Sequence, residues 1–166
     1  SVERGVWQNA AMPAPTPATS DPRLDGVEHR IVEHGRVGSL EEAAALRGVP
    51  PAAVIKTMVV RRADDDYMFV LVPGDRVIDW PKLRDLLGER RLSMPDADEA
   101  LAVTGYVRGT ITPLGATTPW PVIADERLIG DVSIGGGDHG VSITISGDAL
   151  VELLDATVSD VTKGRD

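Results

Sequence analysis

A chain of 166 residues, 42% hydrophobic and 4% aromatic, is long enough to bury one core of ordinary domain size. It has no cysteine, and its three histidines, His29, His34 and His139, lack HxH or HExxH spacing. That excludes disulfides, thiolate chemistry and cysteine-ligated metals, and it argues against a transition-metal site. A net charge of −9 argues against a general nucleic-acid binder, of DNA in particular, because such proteins draw affinity from phosphate neutralisation.

The charge is unevenly spread. Residues 1–62 carry eight Lys/Arg against seven Asp/Glu, whereas residues 63–166 carry nine against nineteen. Lys56, Arg61 and Arg62 fall in the less acidic part, so a small anion site is compatible with the total. No apolar run approaches the roughly 20 residues needed to cross a bilayer. The stretch SVERGVWQNA also lacks the basic-then-apolar layout of a signal peptide. A soluble cytoplasmic protein with no membrane partner is the expectation.

In chain order, residues 1–24 contain MPAPTPATSDP and read as a flexible arm, because prolines and small polar residues bury too little surface to offset ordering. Residues 25–166 read as one domain. A short strand is expected over 29–33. Ser39 with Glu42 forms a capping box for a helix that stops at Gly48. Strands over 55–61 and 67–72, joined by an acidic turn, read as an antiparallel hairpin.

Asp79 caps a helix to residue 87, and Asp96 with Glu99 opens another to 104, each closed by a glycine. Strands over 122–124, 128–134 and 141–146 follow, then a helix over 149–154 capped by Gly147 or Asp148, then a strand over 157–161. Six or seven strands and four helices without a βαβ rhythm give the α+β class, with a mixed, mostly antiparallel sheet.

Familiar catalytic motifs are absent: there is no GxxxxGK[ST], no GxSxG, and no GxGxxG opening a helix. Three other features carry the chemistry. The first is Lys56 in AAVIKTMVV, a charge inside a strand that is apolar on both faces. Alternation puts Lys56 with Val54, Met58 and Val60, and Thr57 with Ile55 and Val59. Lys56 either snorkels from the strand end or projects into a cleft that holds an anion or an ester.

The second is GYVRGTITPLG, residues 105–115, whose three glycines and one proline suit a loop presenting backbone N–H groups to a carbonyl or oxyanion, or equally a strand edge with a tight turn. The third is GGGDHG, residues 135–140, which reads either as a hairpin turn or as a close approach to ligand beside His139.

Lys56-Thr57, GTITPLG and GGGDHGVSITI, in this order and at these intervals, resemble the YbaK and prolyl-tRNA synthetase-associated editing-domain family, the aminoacyl-tRNA deacylases. The resemblance covers about residues 27–161. It implies a barrel-like mixed sheet flanked by helices and a reaction without metal or cofactor, the hydrolysis of the ester joining a wrong amino acid to the terminal adenosine of a tRNA.

It further implies that Lys56 contacts the tRNA acceptor end, and that the GxxxP loop (Gly109, Thr110, Ile111, Thr112, Pro113) lines the aminoacyl pocket, with Lys56 and Gly109 closest to catalysis. Thr57, Gly136, Gly137, His139 and Ser142 are the further substrate contacts, and His34 is a candidate replacement for lost polar contacts. Prolyl-tRNA synthetase is the implied partner from which affinity can be borrowed.

Thr57 and Thr112-Pro113-Leu114-Gly115 look like the Cys-tRNA(Pro) deacylases, from which Val32, Asp138-His139 and Ser142 depart. A non-catalytic module binding a tRNA end or a synthetase is the alternative. Because Lys56 and Thr57 alternate, their sharing one pocket requires a bulge at 56–57.

Overall fold

Short amphipathic segments punctuated by glycine and proline build a computed structural model that describes residues 13–35 and 37–165. The strands are β1 (His29–Glu33), β2 (Ile55–Ala63), β3 (Asp66–Pro73), β4 (Arg76–Ile78), β5 (Val122–Asp125), β6 (Asp131–Gly135), β7 (Val141–Ser146), β8 (Thr157–Ser159) and β9 (Thr162–Gly164). The helices are α1 (Leu40–Arg47), α2 (Trp80–Leu87), α3 (Ala97–Thr104) and α4 (Gly147–Leu154).

Each helix starts where a side-chain oxygen satisfies an orphan N–H of the first turn. Glu42 N–H donates to Ser39 Oγ at 3.1 Å, Lys82 N–H to Asp79 Oδ1 at 3.2 Å, and Glu99 N–H to Asp96 Oδ1 at 2.8 Å. For α4 the cap is Ser146, which accepts from Ala149 N–H at 3.4 Å, in place of the Gly147 or Asp148 expected from sequence.

The α+β class holds, but the sheet does not close into a barrel. Three sheets form, in the orders β1-β7-β6, β2-β3-β5-β8 and β4-β9. All pairings are antiparallel except β3 with β5 and β5 with β8. The two larger sheets meet at a parallel bridge between Val54 and Ser133. The main core lies between them, with Ile55, Val59, Phe69 and Leu71 from one side and Val132, Ile134, Ile143 and Ile145 from the other.

Strand β3 is apolar on both faces. Met68, Val70 and Val72 join a second cluster with Ile78, Val161 and Leu83 of α2. A strand packed on both sides must lose the polar alternation of a solvent-facing one.

The strand expected over 128–134 begins only at Asp131, and that over 157–161 breaks off at Ser159, the chain starting a separate strand, β9, at Thr162. The division follows from Asp125, 1% exposed, whose Oδ2 accepts from Thr162 Oγ1 at 2.8 Å and from Val161 N–H at 3.2 Å. This carboxylate turns the chain off the mixed sheet and onto β4, which sequence patterning missed because three residues carry no periodicity.

The arm expected over residues 1–24 divides likewise. Residues 1–12 lie outside the described residues, and from residue 13 the segment packs on the body. Ala18 and Leu24 enter the main core. Thr16 Oγ1 donates to Gly136 O at 2.5 Å, Gly115 N–H to Asp21 Oδ2 at 2.8 Å, and Arg23 Nη2 to Pro113 O at 3.3 Å. Composition suggested disorder, but two apolar anchors and three long-range hydrogen bonds supply the compensation that composition cannot reveal.

Candidate functional site

The ends of several elements leave one cavity of about 370 Å³. His34 reaches it from the end of β1, Arg47 from the last turn of α1, Gly109 and Thr110 from the loop after α3, and Asp138 and His139 from the β6–β7 turn. Four of the expected site residues, His34, Gly109, Thr110 and His139, therefore line one space.

Gly109 has φ +90, and a Cβ there would come within 3.2 Å of His139 Cε1. The position combines a left-handed backbone with close approach, and glycine satisfies both. Thr110 is pinned below it, its N–H donating to Val107 O at 3.0 Å and its Oγ1 to the same carbonyl at 2.8 Å. Thr112 is fully buried, and its Oγ1 accepts from Leu114 N–H at 3.3 Å, fixing the turn into Pro113. Ile111 packs against the main core.

The strap at residues 13–24 ties this loop to the glycine run, gripping Pro113 and Gly115 at one end and Gly136 at the other. At Gly115, φ +68, a Cβ would overlap the Pro17 backbone. Gly137 lies against Thr16 and Ala18. Gly136 and Gly137 are thus held by the strap and do not line the cavity themselves.

Lys56 is placed differently. Its ammonium donates to Arg76 O at 2.5 Å and does not line the cavity. Burial lowers its pKa and Arg165 lowers it further, with Asp75 opposing both. The β2–β3 register runs unbroken from Ile55 opposite Pro73 to Arg61 opposite Tyr67, and the only shift falls between Arg61 and Ala63. No bulge exists at 56–57, so Thr57 takes the face of Ile55 and Val59 toward the main core. Its Oγ1 is buried without a hydrogen-bond partner among the described residues.

Ser142, beside Val32 in the β1–β7 ladder and Gly135 in the β6–β7 ladder, is likewise buried with an unpartnered Oγ.

Arg47 was missed by sequence reasoning. A basic residue in the last turn of a helix reads as a complement to the helix dipole, and that is the only signal it gives. Its Nη1 lies 3.4 Å from Ser133 Oγ, its Nε is buried without a partner, and no carboxylate lies within salt-bridge distance among the described residues. Among those residues, no three His, Asp or Glu side chains converge to hold a metal ion, and no helix is long and apolar enough to cross a membrane.

A single α+β unit whose cavity is walled by glycine-rich loops and two histidines defines a ligand-binding or hydrolytic domain. The chain belongs to the aminoacyl-tRNA editing domain family, whose description matches residues 34–153. It is 25% identical over 126 residues to EbsC of Enterococcus faecalis, described as a Cys-tRNA(Pro)/Cys-tRNA(Cys) deacylase, covering 75% of this chain and 77% of that one.

It is also 39% identical over 92 residues to a proline–tRNA ligase of Desulfovibrio desulfuricans, covering 55% of this chain but 16% of the ligase. Among solved structures, the hypothetical protein APE2540 superposes with TM-score 0.75 at 28% identity, over 83% of this chain and 93% of that one. A structure described as a trans-editing enzyme for prolyl tRNA synthetase gives TM-score 0.75 at 27% identity, over 82% and 87%.

Proposed function

We propose that the chain is a trans-acting deacylase that hydrolyses mischarged aminoacyl-tRNA, with Cys-tRNA(Pro) the first substrate and other small amino acids within reach. The observation that carries this reading is the convergence of Gly109, Thr110, His34 and His139 on one cavity in a chain of the editing-domain family. A space of about 370 Å³ is at the small end of ligand sites, suited to an aminoacyl group and part of its ribose.

In this reading the substrate carbonyl lies against the GxxxP loop. The Thr110 N–H is committed to Val107, so the oxyanion donor on the cavity wall is Gly109, whose N–H has no acceptor among the described residues. Water adds to the carbonyl carbon. The ester C–O bond then breaks, and the ribose oxygen leaves with a proton.

Lys56 binds the tRNA end from the β4 side of β2, since its ammonium makes one hydrogen bond and has no carboxylate partner among the described residues. Thr57 and Ser142 are buried outside the cavity lining and make no direct contact with substrate in this reading.

An acidic protein can hold RNA through local patches. Arg61, Arg62, Arg84, Arg90 and Arg91 line an open groove of about 690 Å³ at the far end of β2, and the last three have no carboxylate partner among the described residues. Prolyl-tRNA synthetase is the expected partner, and the cytoplasm the expected compartment, because that is where its substrates are made.

The test is incubation with a panel of mischarged tRNAs. Release of the amino acid supports the reading, whereas an ester that is bound but protected identifies a non-catalytic module.

A further inference from the structure

The cation that this structure places on the cavity wall is Arg47, not Lys56. Arginine stays charged in any environment a protein offers, and a part-buried guanidinium lacking both carboxylate and full hydrogen bonding is unfavourable unless something completes it. The contact to Ser133 Oγ, at 3.4 Å, is well beyond the usual hydrogen-bond length, and Nε is buried with no acceptor. Burial alone already lowers the Arg47 pKa.

His34 adds a second unspent group. Its Nδ1 lies 3.1 Å from Gly35 O, and because a carbonyl only accepts, the contact is a hydrogen bond in the tautomer that carries the proton on Nδ1. In that tautomer Nε2 is the accepting nitrogen, and it is buried without a partner among the described residues.

We propose that Arg47 is the phosphate-binding residue of the cavity, taking the phosphodiester next to the terminal nucleoside of the substrate, while His34 Nε2 accepts a hydrogen bond from a hydroxyl of the same nucleotide. The guanidinium fork matches two phosphate oxygens at once, which an ammonium cannot do. Phosphate is favoured over a side-chain carboxylate because every aminoacyl-tRNA carries that phosphodiester, whereas the small amino acids of the proposed function bear no anion. The inference rests on that function for its substrate but is read by binding as well as by turnover.

The experiment compares wild type, Arg47→Gln and Arg47→Lys on three probes: aminoacyl-tRNA, an aminoacyl ester of adenosine lacking any phosphate, and an uncharged RNA hairpin ending in a single-stranded CCA. Arg47→Gln is expected to raise KM for aminoacyl-tRNA about tenfold, in keeping with loss of a charge-assisted hydrogen bond, with kcat nearly unchanged. The phosphate-free ester should be cleaved equally by both.

Hairpin affinity should fall, and the slope of log affinity against log salt should shrink by about 0.7, one phosphate contact on a single strand. Arg47→Lys should fall between the two, since it keeps charge but loses the fork. Equal losses on the tRNA and the phosphate-free ester would overturn the proposal in favour of an acyl-side contact, and unchanged hairpin binding would overturn it outright. If wild type binds the hairpin through Arg47 but cleaves nothing, the inference stands and the deacylase reading fails.

Discussion

Lys56 and Thr57 leave β2 on opposite faces, Lys56 with its ammonium on Arg76 O and Thr57 facing the core shared by the two larger sheets. The two cannot line one pocket, so their variants should behave differently. Lys56→Ala should reduce kcat/KM for aminoacyl-tRNA by an order of magnitude or more, with a melting temperature near wild type, because the ammonium is only half-buried and makes one hydrogen bond. Thr57→Val removes an unsatisfied buried hydroxyl and should be neutral or stabilising. Steady-state kinetics and thermal melts on both proteins check the pair.

Gly109 is the point at which backbone geometry meets the cavity. A Gly109→Ala variant must hold a side chain at φ +90 against His139, so the loop should shift away from the reacting position. The expected cost is about 1–2 kcal/mol of stability, against a fall in kcat of at least roughly tenfold. Denaturant unfolding alongside single-turnover deacylation separates the two effects. A loss of stability with unchanged kcat would remove the GxxxP loop from the chemistry.

Asp21 makes the strap sensitive to acid. Burial pushes its carboxyl up, but the Arg23 side chain and the N–H groups of Arg23 and Gly115 outweigh burial and hold it below the ordinary value of 3.8. Because the folded pKa is depressed, the carboxylate's contribution is complete above the unfolded value and is lost as pH falls through the folded one. Hydrogen exchange of the Gly115 amide should therefore accelerate below about pH 4, relative to amides in β3, and Asp21→Asn should show the same acceleration at neutral pH.

Asp125 is the structural control. Its carboxylate accepts from Arg127, Val161 N–H and Thr162 Oγ1, and Arg127 in turn pairs with Asp160, whose carboxyl is lowered to about 2 chiefly by hydrogen bonds from Arg127 and Lys82. Asp125→Ala leaves several donors unpaired and should cost roughly 3 kcal/mol, measured by urea unfolding. The folded fraction should retain wild-type kcat, since none of these groups lines the cavity.

The capping residues Ser39, Asp79 and Asp96 and the glycines closing α1, α2 and α3 were legible because capping is local chemistry written in adjacent residues. Strands β2, β3 and β7 were legible from their β-branched apolar runs. What escaped depends on long-range contacts. The strap looks like a disordered tail until Ala18 and Leu24 are seen in the core. Strands β4 and β9 are too short to show a period, and they exist because they pair with each other near Asp125.

Gly109, Thr110 and His139 were singled out through motif and resemblance, and His34 as a stand-in for lost polar contacts; the structure brings all four to one cavity. Arg47 was not singled out, because its place on the cavity wall beside the distant Ser133, with no carboxylate near it among the described residues, is not written in adjacent residues.

The most direct test is the half-life of the ester in Cys-tRNA(Pro) with and without the protein, beside correctly charged Pro-tRNA(Pro). Cysteine should be released many times faster than by buffer alone while prolyl-tRNA persists, and Gly109→Ala should abolish most of the difference. An unchanged lifetime for Cys-tRNA(Pro) and for every other small mischarged aminoacyl-tRNA would contradict the assignment of this cavity as a deacylase site.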